Sequence, residues 1–363
     1  MMIKIIDKYI VKEIFDPFLF GLGAFSAILS ASMILFDLVR AVIIRGMPLY
    51  IAAQVFVYKM PSVVVYIFPM ATLLATLLAF GRLSSSSEIV AFRAGGISLY
   101  RMLIPVLVFG FTISLITFSF YEVVVPQSEK AAKDLMVESS ARHTPKIQDN
   151  VLVPEIVHGK LTRMFYASKL KGNIMEGVVV QEFSDNRLSQ IINAKEAKWE
   201  KEKDTWLFKD GTIYLISEDG EYKHTIKFKE QRMTIKYSPA DFYIGERKPE
   251  EMNMRELSKY IALKTKMGTD TADLKIQFHL KGAIPFACLV FALLGAPLGL
   301  SPQRSASSIG LGISVLIIFF YYVLTFMFMA IGELKLLSPF IAAWAPNIII
   351  AGLGGFILYR SAQ

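Results

Sequence analysis

The sequence predicts a helical membrane protein: six transmembrane helices, three plus three, separated by one inserted all-β domain. Three observations lead there. Hydrophobic residues make up 54% of the 363-residue chain and its mean hydropathy is +0.46, where an ordinary soluble domain is roughly 45–50% apolar. Those residues gather into runs of about 20, enough at about 1.5 Å per helical residue to cross a hydrocarbon core of about 30 Å. Charged residues, 19% of the chain, crowd instead into the middle third, where the apolar period shortens to two.

Taken in order, residues 1–16 carry Lys4, Lys8 and Lys12 at four-residue spacing with Ile3, Ile6, Ile10 and Ile14 between them. That is the pattern of an amphipathic helix along the inner surface, running into the first span. A signal peptide does not fit, because no A-x-A-like site follows and the apolar run is too long. The runs themselves fall at 17–36, 60–80, 102–121, 282–300, 309–331 and 339–359. Lys and Arg in the short flanks set the orientation. Lys4, Lys8, Lys12, Arg82, Arg93, Arg101, Arg304 and Arg360 lie on one side, and Arg40, Arg45 and Lys335 on the other. The richer side is expected to be cytoplasmic, which places both termini and residues 81–98 inside and residues 122–281 outside.

That outer segment changes character twice. Residues 126–143 extend the third span as a charged helix. From residue 150 to about 237 the period is two, through Leu161, Met164 and Tyr166, Val178 to Val180, Thr212 to Ile216, and Thr225 to Phe228. Tyr166 and Val179 are expected to point inward. Asp185-Asn186, Asp210-Gly211 and Asp219-Gly220 read as turns between strands. An all-β sandwich, roll or open barrel fits this spacing. Residues 253–267 then return to the membrane as a helix, with Met254, Leu257, Ile261 and Leu263 on its apolar side.

Residues 81–98, GRLSSSSEIVAFRAGGIS, sit between the second and third spans. Ser85 and Glu88 read as an S-x-x-E capping box. Glu88–Ala94 is expected to be a short amphipathic helix, with Ile89 and Phe92 on one side and Glu88 and Arg93 towards water, ended by Gly95-Gly96. Such a helix either is gripped by another protein or rests on lipid headgroups.

Within the spans, Gly23, Ala27 and Ala31 form a small-residue stripe, and Gly310 and Gly312 open the fifth span. These fit either a subunit seam or packing within one chain. Pro61, Pro69, Pro285 and Pro297 suggest broken or kinked helices. Arg40, Arg45, Lys59, His279 and Lys281 gather towards the outer face, either snorkelling to headgroups or, for Arg40 and Lys59 above all, holding the phosphates of an anionic amphiphile. The net charge of +8 suits membrane orientation and anionic headgroups rather than nucleic acid. Cys288 is alone, so an intramolecular disulfide is excluded, and the four histidines show no metal-ligand spacing. No G-x-x-x-x-G-K-[ST] occurs, no nucleophile–base pair stands out, and no intramembrane acid–base chain crosses a span. Neither catalysis nor a cofactor nor a metal is expected.

The stretches GRLSSSSEIVAFRAGGIS, VVVPQSEKAAKDL, FHLKGAIPFACLVFALLGAPLGLSPQR and LSPFIAAWAPNIII, in this order, resemble the permeases of the lipopolysaccharide export ABC transporter, LptF and LptG (YjgP/YjgQ). The resemblance runs through essentially the whole chain, and it is specific by combination rather than by one signature. It implies a β-jellyroll for the outer domain and a coupling helix at residues 84–96 that docks on a dimeric cytoplasmic ATPase like LptB. Glu88 takes the place of that helix's acidic residue, with Ile89, Phe92 and Arg93 beside it. The serine run is more uniform than the family's mixed polar residues. A second permease of the family, or a second copy, would enclose a cavity with spans one and five at lateral gates, where the two small-residue stripes fall. Lipopolysaccharide, or a similar anionic glycolipid, would leave through the jellyroll towards a periplasmic protein like LptC or LptA, placing the chain in the inner membrane.

The implied organisation is residues 1–125 for spans one to three, 126–270 for the outer domain with its flanking helices, and 271–363 for spans four to six. A different class also fits the residues: a membrane-anchored extracytoplasmic binding or sensor protein whose β-domain recognises a ligand. Six spans with small-residue seams exceed what an anchor needs. Co-purification with a nucleotide-binding subunit separates the two.

Overall fold

The computed structural model describes residues 5–45, 47–140, 147–157, 160–184, 187–200, 205–217, 222–233, 248–266, 269–300 and 307–362. Its contacts divide the chain into two units, Met1–Ser140 with Pro249–Leu257 and Ala272–Gln363, and Ala141–Lys248 with Ser258–Thr271.

Among the described residues of the first unit six helices are long and apolar enough to cross a membrane: Ile5–Ile43, Leu49–Ser85, Leu99–Met136, Ala272–Gly299, Gly310–Glu333 and Pro339–Ser361. They are spans one to six, and the first three extend well beyond the apolar runs that announced them. Span one differs most from expectation. Residues 5–16 do not form a separate surface helix, because Ile10, Ile14 and Phe18 are buried at four-residue spacing and continue one packed face. Phe18 meets Phe109 edge-on at 5.4 Å and stacks on Phe68 at 6.2 Å, tying span one to spans two and three. Wider π turns interrupt span one at Ala31–Leu35 and span three at Phe120–Val124.

Spans two and four make the interior, with 83% and 72% of their apolar windows buried, against 22% for each of spans one and five. Their backbones approach at Gly299, where an added Cβ would lie 2.7 Å from the Leu77 carbonyl oxygen and 2.9 Å from the Gly81 nitrogen. Only a residue without a side chain allows that spacing. Neither helix breaks at Pro61, Pro69, Pro285 or Pro297, although a break was one expectation. Buried side-chain bonds add to the packing. Asn347 Nδ2 on span six donates to the Ala283 carbonyl on span four at 2.7 Å, and Tyr321 on span five donates to Asn347 Oδ1 at 3.0 Å. With no water in a bilayer core, such groups are satisfied only by one another.

The second unit is the expected all-β insertion. Its described strands are β1 (Ile147–Val157), β2 (Lys160–Lys171), β3 (Ile174–Ser184), β4 (Arg187–Glu200), β5 (Thr205–Ile216) and β6 (Tyr222–Met233). They form one antiparallel sheet in chain order. Its buried face changes parity in mid-strand. In β2 the buried positions run Phe165, Ala167, then Leu170; in β3 Val180, Val178, then Met175; in β4 Ile192, Ala194, then Ala197. Each sequence contains one step of three where a flat strand allows only two. All nine side chains, with Trp206 and Phe208 of β5, nevertheless belong to one core.

The change falls on residues that the strand pairing passes over, Ser168, Gly177, Lys195 and Asp210, side by side across four strands. Gly177 and Asp210 have φ of 60° and 49°, and Ser168 Oγ donates to the Glu176 carbonyl at 2.9 Å. The sheet therefore creases along this line and keeps a single apolar face.

Two expectations change accordingly. Asp210-Gly211 lies inside β5 and belongs to the crease, not to a turn, while Asp185-Asn186 and Asp219-Gly220 fall outside the described residues. Tyr166 and Val179 pair with each other on the other face; the inward positions are Phe165, Val178 and Val180. After the sheet the helix Met254–Lys266 is capped by Asn253, whose Oδ1 accepts from the Glu256 amide at 2.8 Å.

Candidate functional site

The segment between spans two and three forms the expected helix, Glu88–Ala94, by a different capping arrangement. Ser85 belongs to the last turn of span two, and its hydroxyl donates to the Arg82 carbonyl at 2.9 Å. Ser87 occupies the N-cap with φ 62° and makes no side-chain cap. Ser86 Oγ donates to Glu88 Oε1 at 2.8 Å, so the serine–glutamate contact exists two residues apart rather than three. Gly96, at φ 82°, ends the helix as expected. Ser98 then caps span three by accepting from the Arg101 amide at 3.3 Å.

The helix shows a different face from the one expected. Ile89 is only 7% exposed and joins the core of the membrane unit, and Phe92 packs partly buried against that core. The outward residues are Val90, 66% exposed, with Ala91, Arg93 and Ala94. The apolar pair is thus the root of the helix. Its free surface is a small apolar patch with one cation.

Span one reaches this segment three times. Tyr9 OH donates to Glu88 Oε2 at 2.7 Å. Arg101 holds Asp7 with two bonds, Nη1 to Oδ1 at 2.6 Å and Nη2 to Oδ2 at 2.8 Å. Arg82 lies 3.4 Å from Glu13, with the arginine largely exposed. The bidentate pair is the strong one of the two ion pairs; the exposed one contributes about 0–1 kcal/mol. Asp7, Tyr9 and Glu13 were not singled out from the sequence. Their signal was present as acids and a phenol interleaved with the lysines and isoleucines for which that helix was read.

The cations expected near the outer face separate. Arg40 is exposed and Lys59 half-buried, and neither forms an ion pair with another described residue. The side chain of Arg45 lies outside the described residues. His279 is half-buried, with ring contacts to Phe278 and Phe340 at 5.5 Å each. Lys281 is buried away from the surface, being 2% exposed with its ammonium 4.2 Å from the Tyr121 ring centroid and no hydrogen bond among the described residues. The aromatic face stands in for solvent there.

The small residues separate as well. Gly23, Ala27 and Ala31 are exposed, and a Cβ at Gly23 or Gly312 would meet nothing within 4 Å. Gly310 is buried, where a Cβ would meet Leu77 and Leu78 side chains at 2.9 and 3.0 Å. Gly310 packs within the chain; the other four face outward from it.

Comparison with known proteins matches the sequence over nearly its whole length. The family described as "Lipopolysaccharide export system permease LptF/LptG" matches residues 8–360. "Lipopolysaccharide export system permease protein LptG" of Haemophilus influenzae is 24% identical over 319 residues, 85% of this chain and 84% of that protein. The protein of the same name from Escherichia coli K12 is 22% identical over 367 aligned positions, 99% of each.

Proposed function

The chain belongs to the LptF/LptG family of lipopolysaccharide export permeases, and from that premise we propose that it is an inner-membrane subunit that moves lipopolysaccharide at the expense of ATP hydrolysed by a partner. The observation that carries this reading is the helix Glu88–Ala94, rooted through Ile89 and Phe92 in the membrane unit and joined directly to spans two and three. The chain has no P-loop, so an uphill step needs a motor outside it. A helix so rooted moves with the spans when a partner pushes on its outer face. Val90, Ala91 and Ala94 would enter an apolar groove on the ATPase, with Arg93 at the rim.

In this reading both termini and the coupling helix are cytoplasmic and the β-unit is periplasmic. The outward small residues of span one and Gly312 of span five meet the second permease. Arg40 and Lys59 hold lipid phosphates, and the creased face of the sheet takes the acyl chains before a soluble jellyroll partner receives them. The test is reconstitution with an ATPase subunit and a second permease in liposomes containing lipopolysaccharide. Val90→Asp should abolish ATPase co-purification and ATP-dependent lipid release. Wild-type co-purification and release with this variant would remove the docking role.

A further inference from the structure

We propose that the first three turns of span one are the seat of the helix Glu88–Ala94, with Tyr9 and Asp7 as its positioning residues. The proposal rests on the ATPase-docking reading and deepens it by naming what fixes the docking helix from behind. Glu88 is held by two donors of its own chain, Tyr9 OH at 2.7 Å on one oxygen and Ser86 Oγ at 2.8 Å on the other. A carboxylate with both oxygens engaged has its rotamer set before any partner arrives.

The flanks of the segment are tied to the same few turns. Asp7 takes Arg101 just after it, in a pair whose side chains are 19% and 22% exposed, and Glu13 takes Arg82 just before it. Behind these contacts Ile10 and Ile14 are fully packed, so the turns that hold the segment are themselves held. Span one therefore shares any displacement of the docking helix with spans two and three. It is also the span whose stripe Gly23, Ala27 and Ala31 faces outward. A push received at Val90 would reach that stripe without passing through the interior pair of spans.

The experiment uses the full complex in lipopolysaccharide liposomes, reading lipid released per ATP hydrolysed at equal ATPase occupancy. Tyr9→Phe removes one donor and keeps the ring. It should lower the ratio about tenfold, the scale of a hydrogen bond to a charged group. Because one bond is removed from either end, Tyr9→Phe combined with Glu88→Ala should be no worse than Glu88→Ala alone. The charge exchange Asp7→Arg with Arg101→Asp should recover at least half of what Asp7→Arg loses. A wild-type ratio in Tyr9→Phe, or fully additive losses in the double variant, would overturn the seat. Val90→Asp in the same liposomes keeps the two ideas apart. If it abolishes docking while Tyr9→Phe is silent, only the seat is wrong. If Val90→Asp is silent too, the docking reading fails with it.

Discussion

Small residues serve one end between spans two and four and the opposite end at Gly23 of span one and Gly312 of span five. In the interior pair, Gly299 lets two backbones touch, and the space a side chain would need is already filled by Leu77, Phe80 and Gly81. On the outer pair, a Cβ at Gly23 or Gly312 would meet nothing within 4 Å among the described residues. In a lipid phase no hydrophobic gain separates the two cases, since acyl chains are as apolar as leucine. What a small residue means there depends on which atoms lie within 4 Å, and not on its spacing along the helix.

The largest effect that tests this contrast comes from the interior. Gly299→Val forces a side chain against backbone at 2.7 Å, and overpacking that cannot relax through a side chain costs about 3 kcal/mol or more. Thermal unfolding of the purified chain in detergent should show a large drop in midpoint. A shift no greater than that of a surface variant would break the contrast. The outer counterpart, Gly23→Leu, should leave the midpoint of the isolated chain within about 0.5 kcal/mol of wild type and yet reduce co-purification of the second permease. Lost stability with intact pairing would reverse its assignment.

The smallest effect sharpens the same contrast with charges. Arg40→Glu together with Lys59→Glu should cut lipid-stimulated ATP hydrolysis several-fold, because phosphate contacts are replaced by repulsion. Lys281→Met should leave lipid stimulation unchanged, since that ammonium already faces Tyr121. Loss of stimulation in Lys281→Met would return it to the lipid-binding set.

The features legible in the sequence were those written in lengths and periods. Runs of about 20 apolar residues fixed the number of spans, the period of two announced the β-insertion, and Gly95-Gly96 marked the end of the short helix. Facing was not legible. The spacing of Ile89 and Phe92 puts them on one side without saying whether that side meets a partner or the chain's own spans, and a span apolar nearly all round gives no stripe from which to choose its buried side; Ile89 and Lys281 both lie inside. The crease was missed for a related reason. An Asp-Gly pair signals positive φ, and a bend within a strand asks for positive φ as much as a turn does. The N-terminal seat was hidden because its partners stand far away in sequence, Asp7 from Arg101 by 94 positions and Tyr9 from Glu88 by 79.

The order of contacts along the chain also bears on how the protein assembles. Every strand of the meander pairs only with its neighbour in sequence, so the sheet closes short loops and can form hairpin by hairpin as the chain emerges. The membrane unit cannot. Span two finds its chief partner only in span four, across separations such as the 216 positions from Ser84 to Leu300. Long-range closure of this kind is slow because its entropic cost precedes the contacts that offset it. Spans one to three therefore precede their partner span four by the whole β-unit in the order of synthesis. The membrane half is thus the last to have all of its segments present.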